Sequence, residues 1–72
     1  MPRKIRELKA DLRQAGFIWR PAKGSHTRWS HPLVPDVHVT LSGNDGDDAR
    51  NYQERRVHEA LWRVRQAKER QP

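Results

Sequence analysis

The 72-residue chain contains no cysteine, which excludes disulfide bonds and thiolate metal sites. It also lacks any stretch near the ~20 apolar residues that a membrane-spanning helix needs. The first residues, Met1 to Lys4, lack the apolar run of a signal peptide. Because a small cysteine-free domain suits the reducing cytosol, we expect a cytoplasmic protein that makes no membrane contact.

Charge is unevenly distributed along the chain. Residues 1–31 contain eight Lys/Arg and two acidic residues, and residues 32–48 contain four Asp and no Lys/Arg. Residues 49–72 contain seven Lys/Arg and three acidic residues, so the net charge of the chain is +6. Two basic zones flanking one acidic segment favour a polyanionic partner such as RNA or DNA, although a solvated, arginine-rich helix surface would give the same composition. At this length we expect residues 1–72 to form one small domain whose stability is supplemented by a bound partner.

Two stretches have the apolar spacing of amphipathic helices. The first is predicted over residues 4–15, and Gly16 suits the left-handed position that ends a helix. The second is predicted over residues 49–67, with Asp47 or Asp48 as its N-cap. The apolar positions expected to face the core are Ile5, Leu8, Leu12 and Ala15 in the first helix and Tyr52, Val57, Ala60, Leu61 and Val64 in the second.

Between the helices, aromatic and β-branched content and period-two alternation predict three strands, over residues 17–20, 26–31 and 37–41. Short connections favour an antiparallel meander, and both helices can cover one face of the sheet with their apolar stripes. The expected fold is α+β, a two-layer sandwich of order α-β-β-β-α. Alternation sends Trp29 to the covered face. The residues expected on the opposite, open face are His26, Arg28, His38 and Thr40.

The tetrapeptide Lys23-Gly24-Ser25-His26 combines a flexible basic turn with a side chain that can exchange a proton near neutral pH. Such a histidine can act as a general acid or base on an RNA backbone, where the 2′-hydroxyl supplies the nucleophile. Lys23 and Arg28 are candidate phosphate contacts, and the Gly24-Ser25 backbone can approach a phosphate without a side-chain clash. The alternative interpretation is a surface histidine on a solvated basic turn.

Metal and serine-nucleophile chemistry are disfavoured by residue spacing. His26 and His31 are five positions apart in one predicted strand, so alternation sends them to opposite faces, and His58 has no histidine one turn away. Ser25 directly precedes His26, which is poor geometry for a serine–base pair. We therefore expect neither a metal nor a cofactor. Trp62, near the edge of the second apolar stripe, is either a core-edge residue or an anchor for a partner protein.

Several short motifs follow one another in a specific order: Gly16-Phe17, Lys23-Gly24-Ser25-His26, Trp29, His31-Pro32 and Val37-His38-Val39-Thr40. In this order they resemble the HicA family of small bacterial toxins, which are mRNA interferases. The resemblance implies a fold like that of double-stranded-RNA-binding domains, with His26 as the catalytic residue of a metal-independent endoribonuclease. It also implies a HicB-type antitoxin that joins the toxin in a hetero-oligomer. A non-catalytic RNA-binding module of the same fold and a protein-interaction domain remain the alternatives.

Overall fold

The fold follows the predicted order of one helix, three strands and one helix. A computed structural model of the chain describes residues 2–70. Its elements are α1 (Ile5–Gln14), β1 (Ile18–Pro21), β2 (Thr27–Ser30), β3 (His38–Leu41) and α2 (Asn51–Glu69). Residues 1, 71 and 72 of the predicted domain lie outside the described residues, and the single-domain assignment stays a prediction.

The three strands form an antiparallel meander of order β1-β2-β3. On the central strand, Trp29 lies opposite Trp19 of β1 and Val39 of β3. Both helices pack on this face, where Trp29 is completely buried. The predicted α+β two-layer fold is therefore confirmed, with one sheet face covered and the other open. The buried apolar residues are Ile5, Leu8, Leu12, Phe17, Trp29, Val34, Val39, Leu41, Ala49, Val57, Ala60 and Val64.

Gly16 ends α1 as predicted, with a φ of 96°. The Gly16 amide donates to the Arg13 carbonyl at 3.0 Å, and the Phe17 amide donates to the Leu12 carbonyl at 3.0 Å. This pair of bonds is a Schellman motif, which satisfies two carbonyls at the helix end. It also corrects the predicted start of β1: the strand begins at Ile18 because the Phe17 amide completes the helix cap.

The start of α2 differs from the prediction. Neither Asp47 nor Asp48 is its N-cap; the helix begins at Asn51, and the Gln53 side-chain oxygen accepts a 2.8 Å bond from the Arg50 amide. Gln53 is only 3% exposed and its amide nitrogen donates to the Ser42 carbonyl at 3.1 Å, which ties the helix start to the end of β3.

The position of α2, with Gln53 on its buried side, also corrects the predicted position of Tyr52. Its side chain is 49% exposed and does not join the buried stripe of α2. The Arg56 guanidinium lies over the Tyr52 ring at 5.9 Å instead. Since Gln53 occupies the buried position at this turn, the adjacent Tyr52 points to another side of the helix.

No helix within residues 2–70 has the length and apolar character required to cross a membrane.

Candidate nucleic-acid interface

The Lys23–His26 segment forms the tight turn between β1 and β2. The His26 amide donates to the Lys23 carbonyl at 3.2 Å, which closes the turn. Gly24 has a φ of 65°, and Ser25 does not have a positive φ. A positive φ at only the first central position is the pattern of a type II′ turn, whose twist matches that of the flanking strands. All four residues of the turn are exposed.

His26 lies one position before β2, whereas the predicted strand included it. The strand begins at Thr27 because the His26 amide is used to close the turn. The His26 carbonyl nevertheless accepts a 2.9 Å bond from the Ala22 amide, so the backbone pairing with the β1 side continues as far as His26. His26 therefore occupies the end of the sheet, next to the turn.

The open face is the sheet surface opposite the helices. Across it, Arg28 of β2 lies between Arg20 of β1 and Thr40 of β3. In the next row on this face, Ser30 lies between Ile18 and His38. The predicted placement of Arg28, His38 and Thr40 on this face is confirmed, since alternation from the buried Trp29 sends their side chains away from the core and all three are exposed.

A shallow cavity of about 460 Å³, the open-face depression, lies on this surface. Its lining residues are Arg20, Pro21, Ala22, Arg28, Ser30 and His38. His26 is not among them, although its backbone partner Ala22 is. Sequence reasoning did not single out Arg20. The signal was present, because alternation along β1 relative to Trp19 sends Arg20 to the open face.

The cations of the turn and the open face are not neutralised by carboxylates. Residues 16–35 contain no Asp or Glu. Within the described residues, no carboxylate lies within 4.0 Å of Arg20, Lys23 or Arg28. This part of the sheet therefore presents positive charge to solvent without a compensating acid.

The carboxylates instead bind cations on and beside the helices. Lys4 and Lys9 reach the loop acids Asp48 and Asp45 at 2.5 and 2.6 Å. Arg63 of α2 contacts Asp36 at 3.0 Å, and hydrogen bonds from Arg63 lower the pKa of the Asp36 carboxyl. The acidic segment thus binds helix cations and leaves the sheet cations unpaired.

Of the three histidines near the sheet, His31 has a structural position. It is 7% exposed, its Nε2 lies 3.0 Å from the Ala15 carbonyl oxygen, and its Nδ1 accepts a 3.1 Å bond from the Leu33 amide. These contacts assign the Nε2–H tautomer and occupy both ring nitrogens. By contrast, the exposed His26 ring makes no hydrogen bond or ion pair to any described residue.

Three or more metal-ligating side chains do not cluster anywhere in the described part of the chain. Both nitrogens of His31 are engaged by the backbone, so this residue is unsuited to share a metal with His26 or His38. The expectation that the protein needs no metal nevertheless stays a prediction, because it concerns activity.

A second surface feature lies on the helix layer. Trp62 is 54% exposed and is not among the residues packed against the core, so the structure places it on the surface. It lines a cleft of about 430 Å³ between α2 and the β2–β3 connection, together with Leu33, Val34, Arg63, Gln66, Ala67 and Arg70. A partner-binding role for Trp62 stays a prediction.

Comparison with known proteins agrees with the predicted resemblance. No curated protein matches the chain. A family model described as the HicA toxin of bacterial toxin–antitoxin systems matches residues 5–68, which extends from the first residue of α1 almost to the end of α2. The chain therefore belongs to the HicA family of toxins of bacterial toxin–antitoxin systems.

Proposed function

We propose that this toxin is a metal-independent endoribonuclease that cleaves mRNA with His26 as its acid–base group. The observation that carries the proposal is the position of His26. Its exposed ring lies at the end of a tight basic turn, in a stretch of 20 residues, 16–35, that contains no acid. A polyanionic backbone would be attracted to this region, and the histidine is available there for proton transfer.

The reaction uses the nucleophile that RNA carries. His26 in its neutral form takes the proton from a 2′-hydroxyl, and the 2′-oxygen attacks the adjacent phosphorus. The bond from phosphorus to the 5′-oxygen breaks, and the protonated His26 returns its proton to that leaving oxygen. The products are a 2′,3′-cyclic phosphate and a 5′-hydroxyl. Since no step consumes an oxidant, a metal or water, the atoms balance with the RNA and His26 alone.

The neighbouring residues supply binding and charge stabilisation. The Lys23 ammonium offers a mobile cation beside His26, and Arg28 supplies a guanidinium on the adjoining strand. A Cβ at Gly24 would meet no atom within 4 Å, so the turn is open to an approaching phosphate. Backbone groups at Gly24 and Ser25 can therefore contact the phosphate closely, and cations there stabilise the negative charge that develops in the transition state.

A comparison of histidine variants tests the proposal. His26→Ala is expected to reduce the rate of RNA cleavage about 10²–10⁴-fold, the usual contribution of one general acid–base group. His58→Ala, which removes an exposed histidine from α2, is the matched control and should cleave like the parent. Cleavage by the parent should persist in EDTA, and RNA with 2′-O-methyl groups should remain intact. If folded His26→Ala cleaves as fast as the parent, His26 is not the catalytic residue.

The phosphate-binding role of Lys23 has its own test. Lys23→Ala is expected to slow cleavage by a similar factor across substrates of different sequence, because a phosphate contact carries no base information. Lys68→Ala removes an exposed lysine from α2 and serves as the control. Cleavage rates for a set of unrelated RNA sequences measure the effect. Unchanged rates in Lys23→Ala would remove Lys23 from the site.

One observation favours a second candidate, a non-catalytic RNA-binding module of the same fold. The His26 ring has no hydrogen-bond partner within residues 2–70 that would orient it, whereas catalytic histidines are commonly held by a second group. This alternative predicts salt-dependent RNA binding without fragments. The cleavage assay with the purified parent protein distinguishes the two functions directly.

Membership of a family of toxins from toxin–antitoxin systems implies that the protein has an antitoxin partner. We propose that this antitoxin is of the HicB type, covers the open face, and joins the toxin in a hetero-oligomer. Burial of Arg28 and the surrounding cations under the antitoxin would exclude RNA from them. Because mRNA is the proposed substrate, we place this complex in the cytoplasm.

A further inference from the structure

We infer that the open-face depression binds a second phosphate of the same RNA strand, at a subsite separate from the one beside His26. The inference rests on the proposed action on RNA and specifies how the strand is held. The subsite consists of Arg20, Ser30 and His38 together with Arg28, which lies between this subsite and His26 and can contact a phosphate on either side. All four residues line one cavity of about 460 Å³.

Two arginines lie next to each other on the open face. Arg20 and Arg28 are direct cross-strand partners on the same open face. Like charges directly opposite each other destabilise a strand pair. No carboxylate within the described residues lies within 4.0 Å of either one. An anion between the two guanidinium groups would remove their repulsion, and guanidinium groups match the geometry of phosphate oxygens.

The same cavity contains further hydrogen-bond donors. Ser30 and His38 are cross-strand partners in the row next to the two arginines, and both line the depression. A serine hydroxyl and an imidazole N–H can each donate to a phosphate oxygen. Asp36, two positions before His38, is engaged by Arg63 of α2 at 3.0 Å, so the nearby acid is already paired with a helix cation. The cavity thus offers donors of several kinds.

His26 and the Ser30–His38 row are separated along the strand direction. In the β2–β3 register His38 lies opposite Ser30, which is four positions from His26 along the chain. At about 3.4 Å per residue in an antiparallel strand, these positions are about 14 Å apart along the strand. His26 is not part of the cavity lining. One phosphate cannot contact both His26 and the Ser30–His38 row, so a phosphate bound by that row flanks the scissile one.

The subsite is tested with RNA that binds but is not cleaved. The probe is a labelled 2′-O-methyl RNA of about ten nucleotides, within the range of single-strand site sizes. Arg20→Ala and His38→Ala are each expected to weaken binding measured by fluorescence anisotropy. For the charged Arg20 contact the loss should be about tenfold to a hundredfold. Arg20→Ala should also reduce the slope of log K against log salt by about 0.7, the value for one phosphate contact on a single strand.

Three further comparisons make the test specific. Arg65→Ala and His58→Ala remove the same side chains from exposed positions on α2 and should leave binding unchanged. A 2′-O-methyl dinucleotide carries one phosphodiester and cannot occupy both subsites at once, so Arg20→Ala should weaken its binding less than that of the ten-nucleotide probe. Arg20→Lys, which keeps the positive charge, should retain most of the binding that Arg20→Ala loses, whereas a variant that loses binding through misfolding would not be rescued in this way.

The outcomes separate this inference from the proposed nuclease activity. If Arg20→Ala and His38→Ala bind the long probe like the controls, there is no phosphate subsite in the depression. If these variants lose only the antitoxin and retain RNA, the depression is a protein-binding surface, which also overturns the inference. If they lose RNA binding while the parent fails to cleave unmodified RNA, the subsite stands and the nuclease assignment fails.

Discussion

Replacement of His31 by alanine is expected to destabilise the fold without removing a catalytic group. The His31 ring bridges the end of α1 and the β2–β3 connection, through the Ala15 carbonyl at 3.0 Å and the Leu33 amide at 3.1 Å. It also meets the Phe17 ring edge-on, with centroids 5.1 Å apart. Two lost hydrogen bonds contribute about 2 kcal/mol, and the aromatic contact adds about 1 kcal/mol.

The expected loss of about 3 kcal/mol is large for this chain. At about 0.05–0.15 kcal/mol per residue, a domain of this size has a free energy of unfolding of about 4–11 kcal/mol. His31→Ala is thus expected to remove between about a quarter and most of the free energy of unfolding. His31→Gln should lose less, because its amide nitrogen can still donate to the Ala15 carbonyl.

Urea unfolding followed by tryptophan fluorescence measures the effect, since Trp29 is completely buried in the core. His58→Ala, an exposed helix position, is the control and should change the unfolding free energy by no more than about 0.5 kcal/mol. Equal stability of His31→Ala and His58→Ala would refute the structural assignment of His31. The comparison also matters for the proposed function, because any loss of RNA cleavage in a His31 variant would have to be corrected for unfolded protein.

Two further predictions concern the turn and an exposed ion pair. Gly24→Ala should lower the free energy of unfolding by about 1–2 kcal/mol because of the positive φ of 65°. Gly46→Ala, at a position without a positive φ and with open space around the added Cβ, should leave the free energy of unfolding nearly unchanged in the same urea experiment. The hydrogen bonds from Arg63 lower the pKa of Asp36, so this ion pair stabilises the fold at neutral pH. The stabilisation is lost as the pH falls from the ordinary carboxyl pKa of about 3.9 through the lowered pKa of Asp36. Asp36→Asn should therefore lose less stability than the parent between neutral pH and acid denaturation, and identical acid-unfolding curves would contradict this.

The helices and strands were predictable because their signals are local. The spacing of Ile5, Leu8 and Leu12 determines the buried stripe of α1, and the left-handed Gly16 ends it. Alternation around Trp29 determines which residues of β2 and β3 face solvent. The ordered motifs also identified the family correctly. These features depend on residues a few positions apart in the chain.

Element ends and pairings were decided by contacts between distant residues. The loop of residues 42–49 is held against the start of α1, where the Ile5 amide donates to the Asp47 carbonyl at 2.9 Å. Asp48 binds Lys4 across 44 positions, so neither acid caps α2. Gln53 is buried because its amide reaches Ser42, a contact between α2 and the end of β3. The periodicity of apolar residues in the sequence does not predict these long-range hydrogen bonds.

The sequence alone determined the identity of the candidate groups, because a histidine behind a basic turn is a local pattern of residue types. Only the tertiary structure decided their arrangement. Strand register set Arg20 opposite Arg28 and His38 opposite Ser30, and it placed the Ser30–His38 row four positions from His26, which does not line the cavity. The folded helix layer engaged several of the acids that would otherwise offset these cations. The physical reason is that strand register depends on the geometry that each turn adopts, and that these ion pairs join residues up to 44 positions apart, neither of which residue types and spacing specify.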